Sequence, residues 1–107
     1  MDKESLTEKL LDLVEGRETP ESWRNWWDEH ETELEALLSR GEFLKLKPCR
    51  HGFQWVPVFG SQKRAIAILE KSGTAFEASN LYQERYLAEL DAFCKEQERV
   101  QRLSLIH

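Results

Sequence analysis

Cysteine is scarce in this 107-residue chain: Cys49 and Cys94 are the only two, and they lie far apart. A small fold stapled by disulfides carries more, so the expectation is two reduced thiols in a cytoplasmic protein. Long apolar runs are missing as well. None approaches the ~20 residues that span a bilayer. No basic stretch followed by an apolar one opens the chain, and Leu103 to His107 are too few to anchor it. Neither a signal peptide nor membrane attachment is expected. Glycine (five) and proline (three) are too sparse and too scattered for a phosphate-cradling loop or a linker. Three histidines and two cysteines, none at zinc-site spacing, lead to the expectation of no metal and no cofactor. No repeat or low-complexity tract interrupts the chain, and its length suits one domain over residues 1–107.

Aromatic residues, by contrast, are plentiful: four Trp, two Tyr and five Phe within a 40% apolar composition. A domain of this size buries roughly two-thirds of the surface its unfolded chain exposes, so this content supports one core. The net charge of −5 is unevenly spread. Residues 1–39 hold twelve acids against four bases, residues 40–64 six bases against one acid, and residues 65–107 seven acids against five bases. An acidic whole argues against non-specific nucleic-acid binding. The basic centre leaves room for a local anion site.

Four helices and one hairpin are predicted. Ser5-Leu6-Thr7-Glu8 reads as a capping box that opens the first helix, with Leu6, Leu10, Leu13 and Val14 on one face and Gly16 as the stop. Thr19, Pro20 and Glu21 suit the start of the second helix. Its apolar stripe is Trp23, Trp26, Trp27, Leu34, Leu37 and Leu38, and Gly41 ends it. Glu42 to Lys47 alternates in residue type, the period of a strand, with Phe43 on the face of Lys45 and Lys47 and opposite Leu44 and Leu46. Pro48 to Gly52 reads as a turn, and Phe53 to Phe59 as a second strand that Pro57 confines to an edge. Ser61 is the expected N-cap of a third helix, ending near Gly73. A second capping box, Thr74-Ala75-Phe76-Glu77, opens the last helix, whose stripe is Tyr82, Tyr86, Leu90, Phe93, Cys94, Gln97 and Val100. Unbroken to Leu103, that helix would be about 43 Å long, so it either bends near Asn80 or projects. The fold class expected is therefore α+β and mostly helical, with the hairpin packed on the tryptophan stripe through Leu44, Leu46 and Trp55 or Val56.

Three constellations bear on function. Trp23, Trp26 and Trp27 fall within five positions of a helix, and core burial is their first explanation. All three cannot point inward equally, which leaves Trp23 or Trp26 as a rim anchor beside the acidic residues Glu29, Glu31, Glu33 and Glu35. Second, Lys63 and Arg64 would stand in the first turn of the third helix with Ser61, and Lys45, Lys47 and Arg50 would approach from the hairpin. Free N–H groups at such an end bind anions, although these bases also suit pairing with the acidic helices of the same chain. Third, Cys49 and His51 offer two metal ligands or a nucleophile pair, with neither the ligand count nor the orienting acid that such sites need. His30 reads as a half-buried, hydrogen-bonded residue, and Asp28, Glu31 and Glu35 as solvated or paired with Arg24.

The leading functional expectation is a non-enzymatic interaction module: an adaptor, regulator or immunity-type inhibitor that binds a basic protein through Trp23, Trp26, Glu29, Glu31, Glu33 and Glu35. The alternative is an anion- or nucleic-acid-binding module using Lys45, Lys47, Arg50, Ser61, Lys63 and Arg64. A homodimer through the last helix is a further expectation.

Overall fold

The computed structural model describes residues 1–48 and 52–105, with side chains through Arg99. Among the described residues there are five helices and no strand: α1 (Lys3–Val14), α2 (Pro20–Leu37), α3 (Arg40–Leu46), α4 (Val56–Ser72) and α5 (Leu81–Leu105). The fold is thus helical rather than α+β, and both strands of the expected hairpin are replaced by helix or coil.

Residues 42–47 illustrate why. Six residues of alternating type fit a strand, yet Phe43 and Leu46 also stand three apart, as on one helix face. Ser39 decides between the two by capping the segment: its hydroxyl accepts the Glu42 N–H at 3.2 Å. Phe43 and Leu46 are then buried together and Leu44 and Lys45 turn to solvent, which is not the strand's partition. Gly41, expected to end the second helix, lies inside α3. The second strand fails for a related reason. Pro57 lacks an N–H, which is harmless in the first turn of a helix, and α4 starts at Val56. Pro57, Val58, Ser61, Gln62, Ala65 and Leu69 form its buried stripe.

Ser61 is accordingly not an N-cap. It is buried in the second turn of α4 and donates its hydroxyl proton to the Leu46 carbonyl at 2.7 Å. That carbonyl ends α3 and has no partner within its own helix. The N-cap of α1 is Asp2 rather than Ser5, with its carboxylate accepting the Ser5 N–H at 2.8 Å. The second helix starts as expected at Thr19, in a reciprocal pair of bonds with Ser22.

The expected capping box at Thr74 opens no helix. Gly73 closes α4 in the left-handed conformation at φ 74°, and residues 74–80 cross back to the end of α1 without forming a helix. There the Ser79 N–H donates to the Val14 carbonyl (2.9 Å), and the Gln62 amide donates to both the Val14 (2.8 Å) and Ser79 (2.9 Å) carbonyls. Buried backbone carbonyls must be satisfied, and that requirement outweighs a local capping signal. Gly16 makes the crossing possible: it sits at φ 84°, and a Cβ there would stand 2.7 Å from the Ser79 hydroxyl.

The central helix is α4, against which α1, α2, α3 and α5 all pack. One core unites Leu6, Leu10, Leu13 and Val14 of α1 with Trp23, Trp27 and Leu34 of α2, and with residues of the later helices. α5 is about 38 Å long and outruns this body. The molecule measures 60 × 28 × 21 Å, and its 16.9 Å radius of gyration exceeds the roughly 13 Å of a compact chain this long.

Candidate functional site

Trp23 and Trp27, four residues apart on α2, are both fully buried. Trp27 packs on Phe43 with ring centroids 5.3 Å apart, which brings α3 onto α2. Neither indole N–H has an acceptor among the described residues. Trp23 is therefore a core residue, and Trp26 is the tryptophan left at the rim, half-buried. Its ring is nonetheless well covered: Trp23 stacks on it at 5.2 Å, His30 lies 5.0 Å away, and the Lys9 ammonium sits 5.3 Å from its centroid. His30 is half-buried and hydrogen-bonded to the Trp26 carbonyl at 2.9 Å.

The acidic residues split into two rows along the flanks of α2. Glu29 and Glu33, four apart, lie on the Trp26 side. Glu31 and Glu35, also four apart, lie on the other. Each row has one acid engaged internally. Glu33 pairs with the Met1 ammonium at 2.8 Å, and that hydrogen bond holds its carboxyl below the usual range. Glu31 pairs with Lys47 at 2.9 Å. Glu29 and Glu35 stay exposed. Glu35 also borders a groove of about 350 Å³ with Arg40, Phe43 and Leu44, and Leu44 is 59% exposed there.

The basic residues do not assemble into one site. Lys47 is taken up by Glu31. Lys63 lies over the Phe59 ring at 4.4 Å, and Lys45 is exposed on α3. Arg64 lines a shallow depression with Glu42 and Lys71. Because α4 starts at Val56, Lys63 and Arg64 stand well past its first turn, away from the free N–H groups that would have bound an anion. Arg50 lies outside the described residues, as do Cys49 and His51. Among the described residues no cluster of three or more His, Cys, Asp or Glu is placed to hold a metal.

Sequence reasoning missed one polar cluster. Glu18 is buried, its carboxylate paired with the Lys9 ammonium and accepting the Ser22 hydroxyl at 2.5 Å. Its backbone N–H donates to the Tyr82 hydroxyl at 2.8 Å, and burial pushes that phenol up to about 12. An acid just before Thr19-Pro20 gives no local hint of burial, since its ammonium partner comes from α1. The arrangement ties α1, α2 and the start of α5 together, and the Lys9 charge balances the carboxylate.

No family model matches the chain, and neither a curated protein nor a solved structure matches it. Among the described residues no helix is long and apolar enough to cross a membrane.

Proposed function

We propose that this chain is a non-enzymatic protein-interaction module that binds a basic partner through the groove between α2 and α3. The observation that carries this reading is Leu44, more than half exposed at a groove whose wall includes Phe43 and whose rim carries Glu35 and one base, Arg40. An apolar contact with charge at its edge is the composition of an interface seat: burial supplies affinity and charge supplies orientation and on-rate. Glu29 and the acid excess of residues 1–39 add to the attraction for a basic protein. Compared with the sequence expectation of Trp23 or Trp26, the anchor moves to Leu44: the core consumes Trp23, and Trp26, though at the rim, is covered by Trp23, His30 and Lys9.

The test is recovery of partners by the tagged chain at low and at high salt, set beside a Glu29→Lys/Glu35→Lys variant and a Leu44→Ser variant. A basic protein held by the native chain at low salt and lost by both variants supports the reading. Undiminished capture by both variants overturns it. Capture of nucleic acid or phosphorylated material instead would favour the alternative, an anion-binding module, for which Lys45, Lys63 and Arg64 remain the accessible bases.

A further inference from the structure

The first half of α5 is tied to the body by one face. Tyr82 stacks near Trp55, Tyr86 lies between Phe53 and Phe59, and Phe93 meets Phe53 edge-on at 5.4 Å. Glu89 on the same side accepts the Trp55 N–H at 3.1 Å. Rotated away from that face runs a second stripe, Leu87, Leu90 and Cys94, at positions i, i+3 and i+7. Leu87 is 50% exposed, Cys94 is exposed and Leu90 is half-buried. One border of the stripe is the body-facing aromatic row. The other is acidic: Glu84, Asp91 and Glu98, seven residues apart and all exposed. Among the described residues Glu84 and Glu98 have no ion-pair partner, and Asp91 has only an exposed pair with Lys95 at 3.0 Å, which holds it weakly.

We propose that this flank of α5 is a docking face for an amphipathic partner helix whose apolar stripe is bordered by lysine or arginine. The seat spans about 21 Å from Glu84 to Glu98. Charge decides between this occupant and a second copy of the chain. When two helices meet along their stripes, the borders of one face the borders of the other. An antiparallel second copy would set the acidic border against itself, and like charges so placed repel. A parallel copy would set it against the row of Tyr86, Glu89 and Phe93, in which α5 places an acid and no cation. The net charge of −5 adds repulsion between copies and attraction for a basic helix. A basic border alone neutralises Glu84, Asp91 and Glu98 while Leu87 and Leu90 are covered.

This inference adds a second seat to the proposed interaction module and rests on α5 alone. The probe is a synthetic 21-residue helix with leucines at the stripe positions and lysines at both borders, titrated against the full chain by fluorescence anisotropy. Its controls are the same peptide with glutamate borders and a scrambled peptide of equal composition. The expected result is at least about tenfold tighter binding of the lysine-bordered peptide than of either control. Leu87→Ser should weaken it about tenfold, the scale of one leucine's burial. The triple variant Glu84→Lys/Asp91→Lys/Glu98→Lys should reverse the preference toward the glutamate-bordered peptide. All substituted residues are exposed, and far-UV circular dichroism checks that the variants stay helical. Equal binding of the scrambled peptide, an unchanged preference in the triple variant, or no binding overturns the proposal. So does a native dimer in sedimentation that Leu87→Ser dissolves, which would make the second copy the occupant. Loss of peptide binding in Leu44→Ser but not in Leu87→Ser would place the peptide in the α2–α3 groove, ending the α5 inference and leaving the groove reading intact.

Discussion

α2 and α5 are both long amphipathic helices, yet they use their apolar residues in opposite ways. On α2 the large side chains Trp23, Trp27 and Leu34 are entirely covered, and the other side is given over to charge. On α5 the aromatic contacts with the body, among the described residues, run from Tyr82 to Phe93, and Leu87 and Phe93 are half exposed on a helix that continues to Leu105. Helical period alone does not distinguish these cases. What separates them is supply: α1, α3 and α4 surround α2, whereas α5 meets α4, the 53–55 segment and, at its first turn, Glu18. A stripe is a core stripe only if another element arrives to cover it.

The sharpest test of that contrast is to remove a covered side chain. Trp27→Ala deletes a fully buried indole in contact with Trp23 and Phe43 and should cost about 3–5 kcal/mol. Urea unfolding would show it as a large fall in midpoint, and a cost below about 1 kcal/mol would mean that the α2 core is loosely packed and the contrast with α5 false.

The join between the two regions should be sensitive to alkali. Burial holds the Tyr82 phenol at about 12, above its unfolded value of about 10. The neutral hydroxyl therefore contributes its full stability below pH 10, and that contribution is lost as pH rises through 12, amounting to roughly 2–3 kcal/mol. Tyr82→Phe should be less stable at neutral pH, because the Glu18 N–H loses its acceptor. Its stability should then change less between pH 10 and 12. Parallel curves for the two proteins in denaturant titrations across that range would remove Tyr82 from the account. Gly16 guards the same join. Gly16→Ala meets both the left-handed backbone and the Ser79 side chain, and a loss of about 1–3 kcal/mol in thermal or urea unfolding is expected. An unchanged midpoint would mean that residues 74–80 do not hold α5 against α1.

Much of the helical half was legible in the residues. The buried set of α1 and the start of α2 at Thr19-Pro20 follow from caps and 3.6-residue spacing; the last helix follows from spacing alone, since its start lies at Leu81 and not at Thr74, and its sequence leaves both a bend near Asn80 and projection open. The expected hairpin fails because six- and seven-residue windows satisfy both periods, and because Pro57 means an edge in a strand but a first turn in a helix. The capping box at Thr74 was real as a pattern and lost to the needs of the Val14 carbonyl, a contact 65 residues away in sequence. Of the candidate site, the exposure of Glu29 and Glu35 and the partial burial of Trp26 were readable. The pairing of Glu31 with Lys47, the burial of Ser61 and the groove at Leu44 depend on α3 being a helix, and a strand over the same residues implies none of them.

The smallest expected effect bears most directly on the comparison. Leu87→Ser exchanges a half-exposed leucine for a residue of lower helix propensity, so the change should stay below about 1 kcal/mol. Urea unfolding of the variant beside Trp27→Ala measures both ends of the scale under one condition. A near-zero cost for Leu87→Ser means that the free protein gains little from this leucine and that its apolar surface is available to a partner. A loss approaching that of Trp27 would mean that Leu87 is already covered in the native protein. Sedimentation at falling concentration would then separate the two possible covers: a second copy gives a cost that fades on dilution, while cover from within the same chain gives a constant one.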